Sequence, residues 1–276
     1  MSDTATRRGH GLPAVGPWLV VALFVLVALA GPLLVTADPL RHTTGPLLPF
    51  GAPGHPLGTD DLGRDLLARM VYGARPLLLV SSAATTVAAL LGIGAGLLAG
   101  YVGGTVGWLV TALTDVALTF PPMLVIILLV AAWRPGVASL VTGIGVTLAP
   151  GLARLARVLT AGEASRDYVL AARIGGARTA RILVVEVLPN IAGPLLAQVL
   201  MTLSIAAGLS AGMSYLGLGI PPPAPDWGSM AQAGQEFLHT APRLVTLPAA
   251  ASLLFVVACN LAGDQLRDRT DRRRSR

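Results

Sequence analysis

The sequence contains no lysine, a single cysteine and few charged residues of either sign. Charged residues make up 12% of the 276 residues, whereas an ordinary soluble domain contains about 25%. Hydrophobic residues make up 54%, and the mean hydropathy is +0.71. A water-soluble monomer cannot bury this apolar excess, and a disordered chain has the opposite composition. The composition therefore indicates an integral membrane protein.

The same scarcities exclude several kinds of site. Without lysine the chain cannot contain a GxxxxGK[ST] loop, so it does not bind ATP in the P-loop manner. The lone Cys259 cannot form an internal disulfide, and its apolar surroundings favour a small buried side chain. The four histidines, at positions 10, 42, 55 and 239, do not have metal-ligand spacing. We therefore expect no metal site and no catalytic residue.

Six stretches are long and apolar enough to cross a bilayer, which requires about 20 mostly apolar residues. They cover residues 17–37, 76–101, 107–133, 135–152, 191–218 and 244–262. Strict alternation of apolar and polar residues is absent from them, which favours helices over a closed barrel. The predicted fold is all-α, a polytopic membrane protein with about six transmembrane helices.

The arginines predict how these helices are oriented. The net charge of +6 comes from arginine clusters beside apolar runs, which favours membrane-flanking charge over nucleic-acid binding. Most arginines fall on the cytoplasmic side if both termini are cytoplasmic, as the positive-inside rule prefers. Arg7 and Arg8 precede the first span, which could be a cleaved signal peptide, but its length favours a retained helix.

This orientation divides the chain into five segments. They are a cytoplasmic tail at 1–16, the first helix at 17–37, an external amphipathic segment at 38–75, a five-helix core at 76–262 and a basic cytoplasmic tail at 263–276. The core contains a long cytoplasmic loop at 153–190, whose first part is predicted to continue the fourth span as a helix. The predicted location is the cell membrane.

The loop at 153–190 has the pattern of a helical hairpin. Residues 167–174 have helical composition, Gly175 and Gly176 interrupt it, and a second helical piece at 178–188 is predicted to end at Pro189. A short helix with small residues on one side can seat in a groove of a partner protein. The alternative is a surface hairpin that only connects two spans.

The letters YVLAARIGGA at 168–177 and VLPN at 187–190 resemble the EAA loop of ABC importer permeases, which docks into the ATP-binding subunit as a coupling helix. The resemblance assigns this contact to Asp167, Leu170, Ala171, Ala172, Arg173, Gly176, Ala177, Leu188 and Pro189. Leu170 stands where the family has the motif glutamate. Either Asp167 or Arg173 supplies a substitute polar contact, or Leu170 packs against an apolar surface.

Three further segments narrow the resemblance. HPLGTDDLGRD at 55–65, SYLGLGIPPP at 214–223 with DWG at 226–228, and NLAGDQLRD at 260–268 are similar to segments of dipeptide, oligopeptide and nickel permeases. The similarity is to the second, six-span permease of the pair, and it extends over nearly the whole chain from the first span onward.

The resemblance implies a type I ABC importer permease fold and a set of partners. These are a second permease in a heterodimer, two ATP-binding subunits, an external substrate-binding protein and membrane lipid, without nucleic acid. ATP and Mg would bind to the partner subunits, so this chain needs no cofactor and is not itself an enzyme. Di- or oligopeptide cargo is favoured, with nickel or a metal chelate as the alternative. A stand-alone secondary transporter or channel is a distant alternative.

The external segment permits a structural and a functional interpretation. Thr59 or Asp60 could cap an amphipathic helix lying on the outer membrane surface. Asp60, Arg64 and Asp65 then either contact the binding protein or second permease, or form a lid that closes the helix bundle. Trp227, in the later loop, either makes the same kind of contact or is a structural residue at the membrane interface.

Asp115 is the one ionisable residue well inside a predicted span, and such a residue should face protein or water. The resembled family often has an arginine three positions earlier, where this chain has Ala112. The partner of Asp115 is therefore expected on another helix, on a serine or threonine, or in water. Pro121 and Pro122 should kink the same span. These three residues are candidates for a pathway or gate, with hydrogen bonding and ordinary packing as the alternatives.

Overall fold

The computed structural model describes residues 15–42 and 45–274 and contains helices and turns within them. Helices α2 (Leu66–Val102), α5 (Val137–Ala164) and α10 (Arg243–Arg274) are long and apolar enough to span a membrane. A fourth continuous helical segment, Thr179–Tyr215, comprises α7 (Thr179–Arg181), a π-helical turn (Ile182–Val187) and α8 (Leu188–Tyr215). The all-α polytopic fold is thus confirmed.

The other two predicted spans differ from a simple straight helix. The first corresponds to α1 (Gly16–Leu34), which provides a shorter apolar stretch. The third corresponds to α3 (Gly104–Thr119) and α4 (Pro122–Trp133), whose axes are bent by 91°. Outside the spans lie α6 (Asp167–Ile174), α9 (Trp227–Ala233) and a short 3₁₀ turn at Gly234–Phe237.

Helices α2 and α5 form the closest helix pair in the fold. Gly92, Gly96 and Gly100 repeat every four residues on α2, and each lies directly against the backbone of α5. A Cβ atom at position 96 would lie 2.5 Å from the carbonyl oxygen of Ala153, and one at position 100 would lie 2.5 Å from that of Arg157. Small residues at this spacing allow two membrane helices to approach to backbone contact.

The first helix is part of the hydrophobic core. The ring of Phe24 packs edge-on against the rings of Trp227 and Phe255, at centroid distances of 5.8 and 5.4 Å. Arg75 Nε on α2 donates to the carbonyl oxygen of Ala28 at 2.7 Å. Residue 32, one turn later, is a proline without an amide hydrogen for that carbonyl. These contacts place α1 against α2, α9 and α10, while retention of the first span stays a prediction.

The predicted amphipathic surface helix in the external segment is wrong. Neither Thr59 nor Asp60 caps a helix, because residues 45–65 form successive turns and α2 begins only at Leu66. Asp65 is the N-cap, and its Oδ1 accepts a hydrogen bond from the amide of Ala68 at 2.7 Å. Carboxylates that bind nearby backbone amides stabilise turns in competition with a helix, which explains the later start.

Two other boundaries also differ from the sequence predictions. The second piece of the hairpin does not end at Pro189 but continues without a break into α8. The π turn immediately before α8 is wider than an α turn. It accommodates Pro189, which has no amide hydrogen to donate. The predicted basic tail at 263–276 is helical to Arg274. The N-terminal tail, as far as residue 14, lies outside the described residues.

Candidate functional site

The hairpin at the end of α5 consists of α6, a glycine turn and the start of the next long helix. Gly176 has φ +76, a left-handed conformation that favours glycine. Its amide donates to the carbonyl of Arg173 at 3.1 Å, and the amide of Ala177 donates to that of Ala172 at 3.1 Å. These bonds end α6 and reverse the chain.

One face of α6 attaches the hairpin to the rest of the protein. Val169 is fully buried in a cluster with Ile182, Leu183 and Val187 of the returning segment. Ala172, Ala177 and Leu188 are half-buried and pack against the same cluster. These sequence-predicted residues therefore position the hairpin and contact their own chain.

The opposite face of α6 points away from the protein. Leu170 is 54% exposed and Ile174 is 79% exposed, and they lie one turn apart on the same side of the helix. Asp167, Ala171, Gly176 and Pro189 are also exposed. An exposed apolar patch of this kind typically marks a binding surface.

Arg173 is held against its own chain. Its guanidinium stacks on the ring of Tyr101 at 4.8 Å from the centroid, and its Nε donates to the Tyr101 hydroxyl at 3.3 Å. Tyr101 lies at the end of α2, so the contact joins the hairpin to the helix that packs against α5. Of the two residues predicted to replace the missing glutamate, Arg173 is thus already in contact with its own chain.

A second polar link, not predicted from the sequence, joins the hairpin to α5 and α8. The Tyr168 hydroxyl donates to Glu163 Oε1 at 2.7 Å, and Asn190 Nδ2 donates to the Tyr168 hydroxyl at 3.1 Å. Burial and the hydrogen bond to Glu163 raise the pKa of Tyr168 above its ordinary value. The link borders a cavity of about 490 Å³ that is also lined by Arg166.

We expect Tyr101→Leu to loosen the hairpin, because it removes both the ring and the hydroxyl that hold Arg173. An exposed cation–π contact contributes about 0.5–1 kcal/mol. Its loss should therefore raise the fraction of molecules with a detached hairpin roughly two- to fivefold. The measurement is the rate of tryptic cleavage after Arg173 and Arg178 in the purified protein. Tyr101→Phe keeps the ring and should change the rate much less; an equal rate for both variants would contradict the stacking contact.

The candidate pathway residue Asp115 forms an ion pair with Arg154. The pair joins Asp115 Oδ1 on α3 to Arg154 Nη2 on α5. The expected partner on another helix is therefore present. Arg154 was missed because it was grouped with the arginines of the cytoplasmic loop, and the sequence does not show that α5 brings its side chain against α3.

Pro121 and Pro122 produce a sharper feature than the predicted kink. α3 ends at Thr119 and α4 begins at Pro122, so the span is broken rather than bent within one helix. Pro121 takes ψ 126, as expected for a residue that precedes a proline. Neither proline has an amide to continue the helix.

The four residues predicted to face outer partners are buried within this chain. Asp60, Arg64, Asp65 and Trp227 are each at most 8% exposed. Arg64 Nε donates to Asp60 Oδ2 at 2.6 Å, and the Trp227 indole donates to the carbonyl of Met70 at 2.8 Å. These contacts fit the alternative of a structural lid, and the side chains leave little surface for a partner.

The lid also includes an acid that the sequence analysis did not single out. Asp226 caps α9, its Oδ1 accepting from the amide of Ser229 at 3.0 Å. Burial raises the pKa of Asp226 above its ordinary value, and the hydrogen bond from the Ser229 amide partly offsets that effect. Among the described residues, no group of three or more His, Cys, Asp or Glu could hold a metal ion.

Comparisons with known proteins agree with this geometry. Residues 92–276 match the family model described as binding-protein-dependent transport system inner membrane component. The chain is 38% identical to the di/tripeptide transport system permease protein DppC of Pseudomonas aeruginosa over 95% of this chain and 88% of the relative. It is 32% identical to the oligopeptide transport system permease protein OppC of Bacillus subtilis over 96% of this chain and 86% of the relative.

Proposed function

Because this chain belongs to the family of binding-protein-dependent transport system inner membrane components, we propose that it forms half of the translocation pore of an ATP-driven peptide importer. Its helices and its family make it a multi-pass protein of the inner membrane. The relatives are named for transport of di- and tripeptides or oligopeptides, and we propose the same class of cargo here. Nickel cargo is not favoured by any observed residue.

The proposed partners follow from this role. They are a second permease that completes the pore, two ATP-binding subunits that bind ATP and Mg, and an external binding protein that delivers the peptide. Both termini of this chain would lie in the cytoplasm, on the same side as the hairpin. This chain transmits the energy of ATP hydrolysis and does not catalyse it.

The exposed face of α6 is the observation that carries the proposal. Leu170 and Ile174 present an apolar surface, while Val169, Tyr168 and Arg173 attach the same helix to three other helices. A helix held in this way moves with the transmembrane helices as one body. Closure of the ATP-binding subunits would then favour one conformation of the pore over the other, through differential contacts with the hairpin.

Gly176→Pro is expected to uncouple ATP hydrolysis from uptake. Proline requires φ near −65°, whereas residue 176 has φ +76 and its amide donates to the Arg173 carbonyl. A backbone conformation forced away from its preferred region costs about 1–3 kcal/mol, so uptake per ATP should fall about tenfold or more. The measurement compares ATPase activity and peptide uptake in the reconstituted complex.

Gly176→Asn is the matched control for this experiment. A Cβ atom at this position meets open space, and asparagine tolerates the left-handed conformation. It should therefore retain most of the coupling. Normal uptake per ATP in Gly176→Pro, with the complex intact, would contradict the coupling role. Failure of the wild-type chain to copurify with ATP-binding subunits and a second permease would overturn the importer itself.

A further inference from the structure

The ion pair between Asp115 and Arg154 joins two segments that are apolar enough to span a membrane: α3, the first half of the broken span, and α5. Asp115 is about 17 Å along the helix axis from Gly104, the first residue of α3, and the hydrocarbon core is about 30 Å thick. The side chains of Asp115 and Arg154 are nevertheless 49% and 55% exposed. Charged side chains in contact with lipid are costly, so this face of α3 and α5 must meet water or another protein.

The hydrogen bonding of the pair favours water. A guanidinium has five donors and a carboxylate accepts at about four positions, yet among the described residues each charge has the other as its polar side-chain partner. Burying two such incompletely bonded ions in protein costs several kcal/mol for each ion. Water satisfies the remaining donors and acceptors without that cost.

The broken span gives a second, independent indication. The helix stops at Thr119 and restarts at Pro122 one turn beyond Asp115. Irregular backbone at membrane depth is tolerated only where it is buried in protein or lines a water-filled cavity. The charges and the break therefore both require that the end of α3 near Asp115 contacts water or protein and not lipid.

We propose that Asp115 and Arg154 form a water-exposed ion pair in the translocation path and bind the charged groups of the passing peptide. This inference rests on the proposed function and specifies how its cargo is handled. Asp115 attracts ammonium groups, and Arg154 binds carboxylates through its forked donors. Together they leave this part of the path nearly neutral, so peptides with acidic, basic and neutral side chains can all pass.

The first experiment tests whether the pair meets water. Asp115→Cys is treated with a charged, membrane-impermeant thiol reagent in the intact complex, where the native Cys259 is 1% exposed and gives little background. Thr119→Cys, one turn along the same face, is a second probe. Leu113→Cys, on the opposite side of α3, is the control. We expect modification at 115 and 119 at least tenfold faster than at 113. Equal or absent modification would overturn the proposal.

The second experiment tests the role of the charges in cargo selection. Uptake of alanyl-alanine, alanyl-glutamate and alanyl-lysine is measured in proteoliposomes containing the complex. Asp115→Asn leaves the cation and should raise the ratio of alanyl-glutamate to alanyl-lysine uptake about tenfold. Arg154→Gln should lower that ratio by a similar factor. A purely structural role would not move the ratio in opposite directions.

The outcomes separate this inference from the proposed function. If the wild-type complex takes up neither these three dipeptides nor longer peptides with the same end residues, the proposed cargo is wrong. If it takes them up and the two variants leave the uptake ratio unchanged, the importer stands and the role of the ion pair is refuted. The exchange Asp115→Arg with Arg154→Asp should restore the wild-type ratio.

Discussion

Gly96→Leu is expected to prevent stable folding of this chain, and Gly96→Ala to destabilise it by about 1–3 kcal/mol. A Cβ atom at position 96 would lie 2.5 Å from the Ala153 carbonyl oxygen and 2.9 Å from the amide nitrogen of Arg157. Both atoms belong to the backbone of α5, so no side-chain rotation relieves the overlap. The two helices would have to separate, which would lose the close packing that holds a membrane helix pair together.

The matched control is Gly94, on the same helix two residues away. A Cβ atom at that position meets nothing within 4 Å. Gly94→Ala should be neutral or stabilising, because alanine favours a helix by about 1 kcal/mol over glycine. The measurement is the melting temperature of each purified variant in detergent. A Gly96→Ala variant as stable as Gly94→Ala would contradict the backbone contact between α2 and α5.

The transmembrane helices could be predicted from hydropathy because a spanning segment must satisfy its backbone groups within itself. Composition therefore determines these helices with little help from the rest of the fold. A kink at Pro121 and Pro122 was predicted for the same local reason, since the missing amides are visible in the sequence, but the full break between α3 and α4 was not. Its 91° angle depends on what the two halves pack against, which the sequence does not display.

The external segment could not be predicted in the same way. Its acids and arginines indicate an exposed amphipathic helix only if each charge remains in water. In the structure Asp60 pairs with both Arg64 and Arg69, and Asp61 lies 3.9 Å from Arg64. This pairing makes the burial of the charges tolerable. Pairing of this kind depends on turns that bring the groups together, and it has no signature in hydrophobic periodicity.

The candidate site was predictable where it consists of neighbouring residues. The hairpin and its glycine turn are contiguous in the sequence, and the EAA-like motif at 168–190 identifies them. The links from Arg173 to Tyr101 and from Asp115 to Arg154 join different helices. These contacts depend on how the helices are aligned against each other in the fold. The sequence can therefore single out one residue of a pair, such as Asp115, without identifying the residue that it contacts.

Asp60→Asn is expected to destabilise the protein by about 3–5 kcal/mol, the cost of leaving buried charges without their counter-ion. Asp60 Oδ2 lies 2.6 Å from Arg64 Nε and 3.3 Å from Arg69 Nε. Its other oxygen, Oδ1, accepts from the amides of Leu62 and Arg64. Asparagine keeps the shape but removes the charge that compensates both arginines, and its side-chain amide would place a donor beside them.

Asp61→Asn is the control, because the two acids are adjacent and differ in burial and geometry. The Asp61 side chain is 30% exposed and lies 3.9 Å from Arg64, so its loss should cost less than about 1 kcal/mol. Melting temperature and yield of the folded chain should separate the variants clearly. Equal loss in both would mean that total charge, not the buried pairing at Asp60, stabilises the lid. A selective loss in Asp60→Asn would show that the N-terminal end of α2 depends on one carboxylate shared by two arginines.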